Sequence, residues 1–204
     1  MKLSYIWSKF FTKMRGKSLR GSCVDKSSFV NSGCNIVDSK IGRYTYLGYD
    51  CWVTKADIGA FCSISNNVRI GGAAHPMEFV SMSPVFHNGK NVLKKNFSEH
   101  EFEPFKNTSV GNDVWIGENS IIKAGVSIGN GAVIGTGSVV TKNVGAYEIW
   151  AGNPARLIRK RFDDDTAAAI ENSLWWEYDD KKLGQMAKYI NDTGAFINFV
   201  EENK

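Results

Sequence analysis

The chain has 204 residues, 43% of them apolar and 23% charged, with 25 basic against 21 acidic side chains and a net charge of +4. That length fits one ordinary domain, with or without a small appendage, and the composition excludes disordered and collagen-like chains. So mild a basic balance makes no case for a nucleic-acid partner, no apolar run approaches the ~20 residues that span a bilayer, and four cysteines do not make a disulfide scaffold. The first twenty residues also lack the continuous apolar core of a signal peptide, so the expected address is cytoplasmic.

Residues 1–27 form the first unit. Residues 1–20 carry Lys2, Lys9, Lys13, Arg15, Lys17 and Arg20 and no acids, which leaves the remainder of the chain near −2. Leu3, Ile6, Trp7, Phe10, Phe11 and Met14 recur at helical spacing. A basic amphipathic helix with aromatics either packs against the fold or a neighbouring subunit, the preferred reading, or lies at an anionic membrane surface.

Residues 28–160 carry a repeat. From Val110 the aliphatic residues step by six: Val110, Ile116, Ile122, Ile128, Ile134, Val140. Upstream the same step runs through Val30, Ile36, Ile41, Leu47, Val53, Ile58, Ile64 and Ile70, with two one-residue slips. Eight of these fourteen positions are followed by glycine, and two residues before each stands a side chain no larger than valine, such as Cys34, Thr45, Ser120 or Ala132. A helix of period 3.6 does not hold a six-residue step on one face. A coil of three short strands does, with every sixth residue inward, a small residue at each corner and glycine relieving the bend. Fourteen hexapeptides make a little under five coils, stacked as parallel strands at ~4.8 Å.

The repeat breaks once, over residues 71–109. So long a loop inside a compact domain is functional or disordered, and Met77, Phe79, Met82, Val85, Phe86, Phe97, Phe102 and Phe105 argue against disorder. The loop carries all three histidines, His75, His87 and His100. His75 stands five residues after the last regular aliphatic, so its base is tied to the rigid coil, and an imidazole suits a general base near neutral pH. Glu78 is a candidate to orient it, although a solvated loop carboxylate is the preferred reading. A cysteine nucleophile is disfavoured, because Cys34, Cys51 and Cys62 all occupy the small corner position. After the repeat, residues 161–204 read as a helical tail. Asp163 to Asp165 favour a helix start, and Ile170, Leu174, Trp175, Leu183, Met186 and Ile190 are expected inward, closing the coil end or a subunit seam.

The pattern resembles the left-handed parallel β-helix of the hexapeptide-repeat acyltransferases. The resemblance rests on Gly111-Asn112-Asp113-Val114-Trp115-Ile116-Gly117, on Gly137-Ser138-Val139-Val140-Thr141-Lys142, and on Ala151-Gly152-Asn153-Pro154-Ala155-Arg156 with Ile158-Arg159. The tail segments Arg161-Phe162-Asp163-Asp164-Asp165 and Trp175-Trp176-Glu177-Tyr178 are similar to the xenobiotic acetyltransferase branch, which includes chloramphenicol and streptogramin acetyltransferases and polysaccharide-pathway relatives. The resemblance implies a mainly β fold and a homotrimer with acetyl-CoA bound between subunits. It implies His75 as the base that deprotonates an acceptor hydroxyl or amine attacking the thioester directly, and it requires no metal. It places cofactor contacts on Trp115, Thr136, Thr141, Lys142 and Arg159. Glu118 stands where sugar acetyltransferases place a serine, so no contact is carried to it. The implied acceptor is a sugar or polysaccharide precursor; the alternative is chloramphenicol or a streptogramin. Two readings from other classes are weaker. A metal-dependent lyase would need the three histidines to converge on one ion, and a non-catalytic scaffold would bind no acetyl-CoA.

Overall fold

The structure, a computed structural model, describes residues 3–203. The six-residue step builds a parallel β-helix of triangular section. The first face stacks β1 (Ser18–Arg20), β4 (Asn35–Val37), β7 (Trp52–Thr54), β10 (Arg69–Gly71), β13 (Ile121–Ile122) and β16 (Val139–Val140). The second stacks β2 (Cys23–Val24), β5 (Lys40–Ile41), β8 (Ala56–Ile58), β11 (Thr108–Val110) and β14 (Ser127–Ile128). The third stacks β3 (Phe29–Val30), β6 (Tyr46–Leu47), β9 (Ser63–Ile64), β12 (Trp115–Ile116), β15 (Val133–Ile134) and β17 (Glu148–Gly152), and β18 (Ala155–Lys160) pairs antiparallel with β17. All fourteen aliphatics of the repeat line the interior, none more than 4% exposed.

The stack has six levels, one more than the repeat indicated, because β1 and β2 precede the first regular aliphatic. Leu19 pairs with Ile36 and Val24 with Ile41, so both hold the inward register. At the open end of the coil Leu19 is nevertheless 45% exposed. The slips now have one cause. Leu19 to Val24, Ile36 to Ile41 and Val53 to Ile58 are each five-residue steps across the same corner, between the first and second faces. The chain turns that corner through left-handed backbone at Gly21, Asp38 and Lys55. It is also where the long insertion leaves, after β10, and the stack closes behind it with Ala56 opposite Thr108 and Ile58 opposite Val110.

The small corner residues stitch the levels together. The Thr45 hydroxyl donates to the Gly59 carbonyl and accepts from the Cys62 amide, while Cys34, Cys51 and Cys62 donate to the carbonyls of Gly48, Ser65 and Gly111. Most of the glycines that follow a repeat aliphatic do a different task from the expected relief of bends. Gly42, Gly59 and Gly111 have ordinary backbone, and what requires glycine is the next coil: a Cβ on Gly59 would stand 2.6 Å from the Gly111 carbonyl oxygen. The left-handed corner positions are taken by other glycines, such as Gly33 and Gly131, and also by Tyr44, Phe61 and Asp113.

The tail forms α2 (Asp164–Ser173), α3 (Asp180–Met186) and α4 (Thr193–Glu202). Asp163 caps α2 by accepting from the Thr166 amide, as its acidic start led one to expect. The helices lie along the corner between the second and third faces, not over a coil end: Ile170, Trp175, Trp176, Met186, Phe196 and Phe199 pack with Ala60, Phe61 and Tyr147. The Arg43 guanidinium clamps the turn by donating to the Trp176 and Tyr178 carbonyls. Two expected inward residues point outward. Leu174 takes left-handed backbone as the C-cap of α2 and is 45% exposed, which hands its place to Trp176, and Ile190 is also exposed. At the other end the apolar face of α1 (Leu3–Met14) does not pack on the coil of its own chain: Ile6, Trp7, Phe10, Phe11 and Met14 are all exposed, and of the preferred reading only packing on a neighbouring subunit is left. Lys2 lies outside the described residues, as does the side chain of Leu3.

Candidate active site

The insertion between β10 and β11 is ordered by its own hydrogen bonds and rings. The Ala74 amide donates to the Pro104 carbonyl, the Phe97 amide to Val85 and the Asn88 amide to His100. Asn96 donates to the His87 and Gly89 carbonyls. Phe79 and Phe102 pack edge-on, with His100 against Phe79 and His87 against Phe102. The buried His87 and the bridge between His87 and His100 show what two of the three histidines do: they build the loop. They do not converge with His75, and among the described residues no group of three or more His, Cys, Asp or Glu is placed to hold a metal.

His75 is exposed, and its Nδ1 lies 2.9 Å from the Met82 carbonyl oxygen. A carbonyl only accepts, so in the neutral imidazole Nδ1 carries the proton and the lone pair is on Nε2. That is the tautomer a general base requires. The orienting group is therefore a backbone oxygen and not Glu78, which lies exposed at a cavity rim. No side-chain pattern in the sequence could have marked it. The cavity, about 610 Å³, is walled by Glu78, Phe79, Val80, Phe86 and His100, and by Ser81 immediately before Met82. Its lining is mostly apolar, so it suits a ligand with an apolar face.

The expected cofactor residues are distributed around the prism. Thr141 and Lys142 follow β16 at the corner from which the loop bearing His75 departs; β16 lies two strands from β10, or about 10 Å at the spacing of parallel strands. Thr136 is exposed at the corner between the third and first faces. Trp115 projects from the third face, 50% exposed and paired with Ser63 and Val133. Arg159 is exposed on β18, next to Ile149 of β17, and donates to the Lys160 carbonyl. The third face lies opposite the corner that carries His75. One chain therefore brings Thr141 and Lys142 to the His75 side and holds Trp115 and Arg159 on the other. Glu118, at the position where a serine contact is missing, is exposed.

The cysteines leave no candidate nucleophile at this site. Cys34, Cys51 and Cys62 are buried, and burial pushes the Cys62 thiol up to about 12. The hydrogen bond between the Cys34 and Cys51 thiols raises Cys51 and lowers Cys34, but both are buried in the coil. The exposed Cys23 sits on β2, at the far end of the stack from β16.

A family model for the bacterial transferase hexapeptide (six repeats) matches residues 107–142. The chain is 40% identical over 141 residues to a chloramphenicol acetyltransferase of Agrobacterium fabrum (strain C58 / ATCC 33970), covering 68% of this chain and 67% of that one. It is 34% identical over 176 residues to a chloramphenicol acetyltransferase of Escherichia coli, covering 76% and 83%. Among solved structures, the polySia specific acetyltransferase NeuO aligns at a TM-score of 0.53 and 28% identity over 75% of this chain and 73% of that one. The chain belongs to the hexapeptide-repeat acyltransferases. Its activity is acetyl transfer.

Proposed function

We propose that the protein transfers the acetyl group of acetyl-CoA to a hydroxyl of a saccharide or polysaccharide precursor, with His75 as the general base. The observation that carries the base assignment is the bond from Nδ1 to the Met82 carbonyl, which leaves Nε2 free to take a proton. The acceptor oxygen loses its proton to Nε2 as it attacks the thioester carbon. The tetrahedral oxyanion collapses with loss of the CoA thiolate, which takes up a proton, and the imidazolium returns its own proton to solvent. No acyl-enzyme is formed. The reaction is proposed for the cytoplasm, where acetyl-CoA is supplied.

The arrangement of the cofactor residues supports a site built between copies of the chain in a homotrimer. Trp115 and Arg159 of one copy would meet the corner of the next that carries His75, Thr141 and Lys142. Met77, Val80, Met82 and Phe97 of the loop are exposed in the single chain, and a neighbouring copy would cover such apolar surface. The likeness to NeuO supports a saccharide acceptor. A second reading, acetylation of chloramphenicol or a streptogramin, is favoured by the apolar lining of the loop cavity and by the two chloramphenicol acetyltransferase relatives.

Thiol release from acetyl-CoA across free sugars, nucleotide sugars, oligosaccharide fragments, chloramphenicol and a streptogramin separates the two. Turnover confined to one saccharide class is the expected result. Turnover with the antibiotics alone would replace it by the second reading, and failure to bind acetyl-CoA would overturn both.

A further inference from the structure

The amphipathic helix ahead of the β-helix carries none of the residues proposed for acyl transfer, and its apolar face is bare in the single chain. We infer that α1 is a docking element for an anionic lipid surface. Ile6, Trp7, Phe10, Phe11 and Met14 fall within an arc of about 140° on a helix of 3.6 residues per turn. Trp7, Phe10 and Phe11 form one ring cluster, with centroids 5.9–6.1 Å apart. Clustering does not hide them: they are 54%, 52% and 61% exposed.

The polar side of the helix looks the other way. Thr12, which donates to the Ser8 carbonyl, is half-buried. Beyond the helix Arg15 forms an ion pair with Asp50 at a corner of the coil. That ion pair links the segment after the helix to the fold, while the aromatic face stays exposed.

Charge identifies the occupant. The helix has no acid, and Lys9 and Lys13 border its apolar arc on one flank. Lys17 and Arg20 follow and are also exposed. Aromatic and aliphatic side chains at the acyl boundary, with lysines reaching to headgroup level beside them, match an interfacial helix on an anionic leaflet. A neutral protein groove would supply nothing for the cations. Among the described residues no helix is long and apolar enough to cross a membrane, so the contact is peripheral. It would hold the acyl-transfer site beside a membrane surface. The inference stands whichever acceptor the enzyme uses.

The test is co-sedimentation of the full chain with vesicles of phosphatidylcholine alone or mixed in equal parts with phosphatidylglycerol. The chain is expected to pellet with the mixed vesicles, and its partition should fall about tenfold or more in Trp7→Glu/Phe11→Glu. Lys13→Glu/Lys17→Glu and high salt should weaken it too. Unchanged melting temperature and acetyl-CoA binding in both variants would show that the fold is intact. Equal recovery in the supernatant with both vesicles would overturn the inference, as would equal binding to neutral ones. So would a change of assembly state on light scattering in Trp7→Glu/Phe11→Glu without any vesicle binding by the native chain, because α1 would then be a contact between subunits.

Discussion

His75→Asn is expected to lower the rate of acetyl transfer by about 10²–10⁴-fold, a loss of about 3–5 kcal/mol of transition-state stabilisation. Asparagine is the informative replacement. Its amide N–H can still donate to the Met82 carbonyl that now receives Nδ1, so the loop keeps that tie, and what is lost is the lone pair at Nε2. The imidazole is exposed, so removing it opens no cavity in the core and the melting temperature should not move. Acetyl-CoA binding should also persist, because the proposed contacts at Trp115, Thr136, Thr141, Lys142 and Arg159 do not include the base. His87→Asn would behave differently. His87 is buried against Phe102, so its loss would disturb the loop and lower stability together with rate. Kinetics at saturating acetyl-CoA, with a melting curve for each variant, check these outcomes. A His75→Asn enzyme with native turnover would remove the base from the account.

Gly59→Ala carries the second large effect, on stability. Gly59 sits at the corner between β8 and β9 with backbone that any residue adopts, so the substitution brings no conformational strain of its own. Its methyl would lie 2.6 Å from the Gly111 carbonyl oxygen and 2.7 Å from its carbon. These are backbone atoms of the next coil, fixed by the ladder in which the Gly59 amide donates to Val110 at 2.8 Å. They cannot rotate aside, so adjacent levels must open. Overpacking of this kind costs about 1–3 kcal/mol and here should lie at the upper end, which lowers Tm by roughly 5–10 °C. Gly184→Ala is the control. Gly184 lies in α3 with nothing within 4 Å of its added methyl, so the same change should stabilise by up to about 1 kcal/mol. Thermal melts of both variants give opposite shifts if coil spacing is what demands glycine at position 59, and equal small shifts if it is not.

The coil was legible because its interior is written in one register. A buried aliphatic every sixth residue, with a small partner two residues earlier, leaves few other folds, and all fourteen positions are inside. The first level is not legible in the repeat for a physical reason. Leu19 and Val24 close the open end of the stack, where burial is incomplete and the five-residue step begins. The tail was half legible. Asp163 announced its cap, but the inward set shifts where Leu174 turns left-handed, and a helical period carried through that turn misassigns Leu174. In the candidate site, the proposed base His75 is marked in the sequence by its place just beyond the last regular aliphatic. The Met82 carbonyl that orients it was invisible, because every residue has one. The separation of His75 from Trp115 also emerges only when the strands are assigned to faces, since the sequence puts only thirty-nine residues between them.

That separation makes the central claim open to a direct test: the acyl-transfer site takes its base from one copy of the chain and the Trp115 side of its cofactor contacts from the next. Chains carrying His75→Asn and chains carrying Trp115→Ala/Arg159→Ala should each be nearly inactive alone. Co-expressed with different affinity tags and purified through both, the mixed assemblies hold some sites with an intact His75 facing an intact Trp115 and Arg159. The account predicts that acetyl transfer reappears in the doubly purified material and in neither parent. Mixed assemblies that form and stay as inactive as their parents would show that each site is built within one chain, and would contradict it.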